Sequence, residues 1–261
     1  MSLTPLPRLM VAPNGARKGK ADHPALPITL PEIIETAHAC HRARADGLHL
    51  HLRDAGGVHI LDSGLYREAL AALGEAVPDL AVQVTTEAVG LYTPAEQRQL
   101  VRDLRPALVS VSLAEMLAEG EFDAGEEFYK ECAEAGTAVQ HILYGVDDLA
   151  LFDRMETEGR LPAGPSQMLF VLGRRAKDQQ SDPADLAPFI RWLAQRGDQP
   201  DWAICAFGRG ETRCLQEAAE AGGKLRVGFE NSFRNGDGTL AKDNAERVAE
   251  VFATCRPASV R

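Results

Sequence analysis

The feature that most constrains the fold of this chain is a regular alternation of short apolar runs with amphipathic segments along its 261 residues. Eight apolar runs have the length and composition of β-strands, and they read LPRLMVAP, GLHLHLRD, LAVQVTTE, ALVSVSLA, TAVQHILY, SQMLFVLG, DWAICAFG and KLRVGFEN. A segment with helical periodicity follows each of them, as in YREALAALGEAV and PADLAPFIRWLAQRG. The alternation therefore predicts an α/β fold built from eight β/α units.

Eight β/α units can form either a closed barrel or a doubly wound open sheet. The open sheet predicts a glycine-rich phosphate turn after the first strand, and the segment PNGARKGK lacks the G-x-G-x-x-G spacing. The chain also has the length of a typical β/α barrel, which is about 250 residues. We therefore expect a single (β/α)8 TIM-barrel domain over residues 1–261.

Composition excludes several classes of partner. A formal net charge of -10 argues against a general nucleic-acid binder, because neutralising phosphates requires a basic face. No stretch approaches the ~20 apolar residues of a membrane span, and the first residues lack a secretory signal. Five cysteines without a C-x-x-C pair indicate reduced thiols rather than a disulfide framework. These observations predict a cytoplasmic protein that binds neither nucleic acid nor membrane.

Polar side chains at two strand ends suggest a metal site, because catalytic groups of β/α barrels project from the C-terminal ends of the strands. The period of two places His49, His51 and Arg53 on one face of the second run. Glu230 shares a face with Arg226 in the eighth run, which lies one strand away when the barrel closes. Two histidines, a glutamate and a water form the open coordination of catalytic zinc. The alternatives are hydrogen-bonded barrel histidines and a solvated carboxylate.

Other polar residues lie at the same rim. Hydroxyl and amide donors suit a substrate carboxylate or a developing enolate, although Ser and Thr at strand ends often only cap a helix. The candidate substrate contacts are Asn14, Arg53, Thr85, Thr86, Ser110 and Ser112. Basic residues after strands six and seven suit a phosphorylated cosubstrate or are solvated surface arginines, and they are Arg174, Arg175 and Arg209. The long segment 13–31 is expected to be a lid or a binding loop.

With H-L-H-L-R-D and R-V-G-F-E-N both in view, the chain resembles the β-keto acid cleavage enzymes. The likeness also includes the Pro-rich first loop, the Thr-Thr pair after strand three, the PALVSVSLA strand and the G-x-x-A-x-x-N-A segment. It implies an enzyme that condenses a β-keto acid with acetyl-CoA and releases acetoacetate and a new acyl-CoA. It further implies Zn²⁺ on His49, His51 and Glu230, a functional role for Arg226, and a homo-oligomer, by resemblance a tetramer.

The chain departs from the family pattern at residues that would move protons. Asn231 stands where the family usually has an aspartate, and an amide cannot take a proton at neutral pH. The strand-five acid is missing, and His141 is either its replacement as a base or a hydrogen-bonded barrel histidine. Asn14 replaces a first-loop acid, which argues against an amine-bearing substrate. An amidohydrolase-like metal hydrolase and a catalytically degenerate metal-binding barrel are the alternative functions.

Overall fold

The computed structural model describes residues 4–118 and 120–255. Its centre is a closed barrel of parallel strands. The barrel strands are β1 (Leu9–Val11), β2 (Gly47–Leu50), β5 (Ala81–Thr85), β6 (Leu108–Ser112), β7 (Ala138–Leu143), β8 (Gln167–Leu172), β9 (Asp201–Ala206) and β10 (Lys224–Val227), while β3 (Leu52–Arg53) and β4 (His59–Ile60) form a separate hairpin. The barrel strands are hydrogen-bonded in the order β1-β10-β9-β8-β7-β6-β5-β2. The predicted (β/α)8 barrel is confirmed. The boundaries 1–261 stay a prediction, because residues 1–3, 119 and 256–261 lie outside the described residues.

Helices cover the outside of the barrel and begin and end at residues with clear local causes. They are α1 (Leu30–Arg42), α2 (Ser63–Ala76), α3 (Pro94–Leu104), α4 (Leu113–Met116), α5 (Phe122–Ala135), α6 (Val146–Thr157), α7 (Ala187–Gln195), α8 (Glu211–Glu220) and α9 (Asn244–Cys255), with short 3-10 turns at Lys177–Gln179, Pro183–Leu186 and Gly208–Gly210. Thr93 and Glu96 form a capping box at the start of α3. Gly136 ends α5 in the left-handed conformation, with φ 75°. Within the described ranges, no helix combines the length and the apolar character that crossing a membrane would require.

The barrel wall separates the two larger clusters of the hydrophobic core, and a third cluster of Leu26, Phe229 and Ala241 lies under the first loop. A small cluster that includes Met10, Leu108 and Leu169 fills the barrel interior. A larger cluster, which includes Val109 and Phe170, lies between the barrel and the helices. Because side chains alternate along a strand, neighbouring residues of one strand belong to different layers. This alternation decides which strand residues can reach a site at the barrel mouth.

The short β3–β4 hairpin turns the chain away from the barrel directly after His51. Arg53 therefore leaves the barrel wall and contacts the first loop instead of the barrel mouth. Its guanidinium donates to the carbonyl oxygens of Gly15, of Lys18 at 3.1 Å and of Gly57 at 3.0 Å. Arg53 thereby fixes the start of the long first loop against the hairpin.

A buried ion pair supports the segment that follows β10. Arg247 of α9 lies 2.8 Å from the carboxylate of Glu211 at the start of α8, and both side chains are almost inaccessible to solvent. The other carboxylate oxygen of Glu211 accepts a hydrogen bond from the backbone N–H of Gly228 at 3.3 Å. The pair thus connects two helices to the backbone that leads to Glu230.

We expect Arg247→Met to lower the free energy of unfolding by about 3–5 kcal/mol, because it would leave the Glu211 carboxylate buried without its partner. Urea unfolding measures this loss. The double variant Arg247→Met/Glu211→Gln should recover most of it.

The matched control is Arg102→Met, since Arg102 pairs with Glu131 at the surface with both side chains partly exposed. Its loss of stability should stay within about 1 kcal/mol. An Arg247→Met protein as stable as this control would contradict the structural role of the buried pair.

Candidate functional site

Three potential metal ligands meet at the C-terminal end of the barrel. His49 projects inward from β2, His51 follows at the end of that strand, and Glu230 lies in the turn after β10. The Nε2 atoms of the two histidines are 3.0 Å apart, and Oε2 of Glu230 lies 3.7 Å from His49 Nε2 and 3.5 Å from His51 Nε2. All three ligand atoms therefore face one point, as a chelating set requires.

The charge states of these groups favour binding of a cation. Burial, and next the positive charge of Arg226, lowers the pKa of His49 to about 4. Burial and the neighbouring His49 lower the pKa of His51 well below its usual value. Burial alone would raise the pKa of Glu230, but the positive charge of Arg226, and to a smaller extent those of Lys18 and Arg174, lower it below its usual value. At neutral pH the set therefore holds two neutral imidazoles and one carboxylate.

Hydrogen bonding shows which ring nitrogen of His49 is free. His49 Nδ1 lies 2.8 Å from Oε1 of Gln83, and because that oxygen only accepts, Nδ1 carries the proton. The lone pair of His49 Nε2 consequently points at His51, so a proton or a cation must lie between the two rings. Oε2 of Glu230 has no hydrogen-bond partner within residues 4–118 and 120–255. The unpartnered oxygen of Glu230, the two facing imidazole nitrogens and the His-His-Glu donor set fit a zinc ion.

Arg226 and the first loop fix the orientation of Glu230. Arg226, buried within the barrel, donates to Oε1 of Glu230 at 2.9 Å and leaves Oε2 free. Lys18 donates to the backbone oxygens of Phe229 at 2.9 Å and of Glu230 at 3.0 Å. Gly15 has φ 60°, and a β-carbon there would lie 2.6 Å from Cγ of Glu230. The first loop thus packs directly on the third ligand.

A cavity of about 110 Å³ opens beside this candidate metal site. Its wall combines cationic, acidic and apolar side chains. The lining residues are Asn14, Gly15, Ala16, Arg17, Lys18, His49, His51, Thr85, Glu87, Ile142, Tyr144, Val171, Arg174, Gln179, Phe207, Arg226 and Glu230. Of the residues singled out in the sequence, the structure therefore brings together Asn14, His49, His51, Thr85, Arg174, Arg226 and Glu230 at one cavity.

Glu87 is a site residue that the sequence analysis missed. Its carboxylate lies 4.0 Å from His51 Nδ1 and 3.4 Å from the guanidinium of Arg174. Burial, and next the charge of Glu230, raises the pKa of Glu87 to about 7. Glu87 directly follows the Thr-Thr pair at the end of β5, so reading one residue further along that loop would have found it.

Several predicted substrate contacts have structural partners instead. Thr86 donates to the backbone oxygen of Ser110 at 3.0 Å, and Ser112 caps α4 by accepting from Glu115 N–H. Ser110 is fully buried in the barrel wall and does not border the cavity. Arg53 holds the first loop, as described above. For Ser112 the helix-capping alternative describes its position in the structure.

His141 and Asn231, which stand at the positions where the family would have its proton-transfer acids, do not line the cavity. His141 belongs to β7 and packs between Tyr129 and Phe152, with ring centroids 5.1 and 5.4 Å apart. The alternation along β7 directs it toward the helices, so the prediction that it acts as a base in the barrel mouth is wrong. Asn231 is buried, and its amide does not line the cavity.

The three predicted rim arginines take different positions. Arg174 lines the cavity, with its guanidinium 5.3 Å from the ring centroid of Phe207. Arg175 is 61% exposed and lies over the ring of Tyr144. Arg209 is exposed and does not line the cavity. Only Arg174 is therefore in reach of a small substrate inside the cavity.

Comparison with known proteins agrees with this geometry. A family model described as beta-keto acid cleavage enzyme matches residues 8–260. The 3-keto-5-aminohexanoate cleavage enzyme of Fusobacterium nucleatum subsp. nucleatum is 28% identical over 246 residues, covering 91% of this chain and 86% of that protein. The 3-oxoadipate:acetyl-CoA acetyltransferase of Cupriavidus necator is 26% identical over 258 residues, covering 95% and 87%.

A solved structure supports the fold. The binary complex of ObcA with oxaloacetate superimposes with a TM-score of 0.68 at 17% identity, over 88% of this chain and 63% of ObcA. This chain thus spans less than two thirds of ObcA. The family match, in contrast, includes every barrel strand of the described residues and all three potential metal ligands. The resemblance inferred from the sequence is confirmed, and this chain belongs to the β-keto acid cleavage enzyme family.

Proposed function

We propose that this chain is a zinc-dependent enzyme that condenses a β-keto acid with acetyl-CoA to give acetoacetate and a new acyl-CoA. The observation that carries the proposal is the triad of His49, His51 and Glu230 beside a cavity lined by cationic side chains. Acetyl-CoA appears in the names of two relatives, the acetyltransferase of Cupriavidus necator and the 3,5-dioxohexanoate:acetyl-CoA acetone transferase of Paraburkholderia graminis. Their names support acetyl-CoA as the cosubstrate.

The three ligands would hold the Lewis acid that the reaction needs. Zinc held by His49, His51 and Glu230 would supply Lewis acidity to the keto oxygen of the substrate. Arg226 binds the other oxygen of Glu230 and so keeps the metal-facing oxygen in place. We assign Arg226 this positioning role because its guanidinium contacts the ligand directly.

The proposed reaction removes one proton and later returns it. Loss of a proton from C2 of the keto acid leaves a carbanion, which attacks the thioester carbonyl of acetyl-CoA and displaces the coenzyme A thiolate. The thiolate then attacks the original keto carbon, and the bond from that carbon to C2 breaks to release the new acyl-CoA. C2 takes the proton back, which completes acetoacetate.

We assign the proton transfer to Glu87. Among the described residues that line the cavity, two carry a carboxylate, and they are Glu87 and Glu230. Glu230 is the proposed metal ligand, so Glu87 is the one left to act as a base. The contact with Arg174 holds the Glu87 side chain at the cavity wall. A positioned carboxylate of this kind contributes about 10²–10⁴-fold to the rate of a proton transfer.

The cavity wall suggests a keto acid with an uncharged side chain. Ile142, Val171 and Phe207 form an apolar part of the wall, where a charged group would lose its hydration. Arg17 lines the cavity from the first loop and forms no ion pair with the residues that the structure describes. We assign to Arg17 the carboxylate of the keto acid, and to the exposed Arg175 and Arg209 the phosphates of coenzyme A.

The alternative of an amidohydrolase-like hydrolase lacks its further histidines. His141, the remaining candidate of that kind, faces the helices. A degenerate metal-binding barrel would bind zinc without turnover, and the activity assay below separates it from the proposed enzyme. The homo-oligomer and the cytoplasmic location stay predictions.

The metal site is tested by metal analysis of His49→Ala. The purified wild-type protein should hold about one zinc ion per chain, and His49→Ala should lose most of it, because two ligands bind zinc far more weakly than three. His38→Ala is the matched control, since His38 is a partly exposed residue of α1 that belongs neither to the triad nor to the cavity wall. Unchanged zinc content in His49→Ala would show that the ligand assignment is wrong.

The proton-transfer role is tested with Glu87→Gln, which keeps the shape of the side chain but cannot take a proton. We expect kcat to fall by about 10²–10⁴-fold, with zinc content unchanged. Steady-state assay of acetoacetate formation measures this effect. Glu68→Gln, at an exposed helix position, is the control and should keep wild-type activity. A Glu87→Gln enzyme with near-normal kcat would exclude Glu87 as the base.

The substrate class is tested by incubating the enzyme with acetyl-CoA and β-keto acids that carry neutral, anionic or cationic side chains. The apolar wall predicts the highest kcat/KM for a neutral side chain, by about tenfold or more, because burying one charge costs at least about 1.4 kcal/mol. Acetoacetate release is the readout. Absence of turnover with all three classes in zinc-loaded protein would contradict the proposed activity.

A further inference from the structure

A chain of side-chain amides crosses the barrel interior beneath the metal centre. His49 Nδ1 donates to Gln83 Oε1 at 2.8 Å, and Gln83 Nε2 donates to Gln140 Oε1 at 2.8 Å. Gln140 Nε2 then donates to the backbone oxygen of Met168 at 3.0 Å. This series of hydrogen bonds connects β2, β5, β7 and β8 in turn, and His49, Gln83 and Gln140 are buried. The last acceptor is a backbone carbonyl oxygen, which cannot donate a hydrogen bond.

The direction of every hydrogen bond in this chain follows from that last atom. The carbonyl oxygen of Met168 only accepts, so Gln140 must present its NH₂ group to it. The oxygen of Gln140 is then directed at Gln83, which must donate a hydrogen bond to it from its own NH₂ group. The oxygen of Gln83 is thereby turned to His49, and it can only accept. Both amides have one allowed orientation.

We propose that Gln83 and Gln140 form an amide relay that holds His49 in the tautomer protonated at Nδ1. In this tautomer Nε2 keeps its lone pair and is ready to bind a metal ion. A free amide at position 83 could turn over and present its NH₂ group to Nδ1. The proton would then move to Nε2 and block the ligand atom. Gln140 is thus a positioning residue that acts on the metal centre through Gln83.

The proposal explains why two polar side chains lie in the barrel interior. Burying an amide costs free energy unless its donor and acceptor groups are hydrogen-bonded. The relay satisfies this condition for both amides in one orientation only. Mutation of the hydrogen-bond partners of metal-binding histidines typically lowers metal affinity by about 10–100-fold. The relay therefore acts by fixing the tautomer of a metal ligand and does not contact the substrate.

The inference rests on the proposed metal site, so its test has one arm that needs no metal. Long-range ¹H–¹⁵N correlation spectra of the metal-free, ¹⁵N-histidine-labelled protein distinguish the two tautomers of each ring. The chain has seven histidines, and a spectrum of His49→Ala identifies the signal of His49. We expect His49 to carry its proton at Nδ1 in the wild type. In Gln140→Leu we expect a substantial population protonated at Nε2.

The second arm measures zinc affinity by competition with a chromophoric chelator. Gln83→Leu should weaken binding by about 10–100-fold, and Gln140→Leu by a smaller factor, because it acts through Gln83. The double variant should be no weaker than Gln83→Leu alone. Gln83→Glu in the Gln140→Leu background should restore affinity to within a few-fold of the wild type, since both oxygens of a carboxylate only accept.

Gln167→Leu is the matched control, because Gln167 is a buried glutamine of β8 that pairs with Gln140 in the strand register, while its side chain donates to the backbone oxygen of Thr4 and not to either relay residue. It should leave both the tautomer of His49 and the zinc affinity unchanged. The relay is refuted if Gln140→Leu matches Gln167→Leu in both measurements. If the wild type binds no zinc, the proposed function fails, whereas the tautomer measurement still decides whether the relay works.

Discussion

The candidate site depends on closure of the barrel through β1. This strand pairs with β10 on one side and with β2 on the other, and it thereby joins the last strand to the second. The two imidazoles come from β2 and the carboxylate from the turn after β10. A metal ion bound there would hold two distant parts of the chain together. The buried pair of Arg247 and Glu211 supports the same junction from outside.

Much of the fold, and the proximity of His49, His51 and Glu230, could be predicted because both depend on simple periodicity. The eight apolar runs each contain an observed barrel strand, since a parallel barrel buries its strands on both sides and makes them largely apolar. The period of two placed His49 and His51 on one face. Barrel closure then brought Glu230 next to them. No detailed packing information was needed for these steps.

The remaining site residues depend on features that periodicity does not encode. In β7 both faces are largely apolar, so the pattern did not reveal that His141 faces the helices while Gln140 faces the interior. Arg53 left the barrel face because the chain turns into a hairpin after His51. Glu87 lies in a loop, where position depends on the backbone path rather than on alternation. The amide chain is visible only once strand neighbours are known.

The contacts of the first loop limit where related sequences can differ in length. Loops usually tolerate insertions and deletions, because few contacts fix their length. Here the start of the loop is fixed at both sides, by Arg53 on the carbonyl oxygens of Gly15 and Lys18 and by Lys18 on the backbone of Glu230. An inserted residue between Gly15 and Lys18 would shift one anchor relative to the other. Further along the loop, His23 bonds the backbone oxygen of Ala241 at 2.9 Å and Leu26 packs with Phe229. Differences in length among related chains should therefore concentrate between these two sets of anchors, at the exposed residues 20–22.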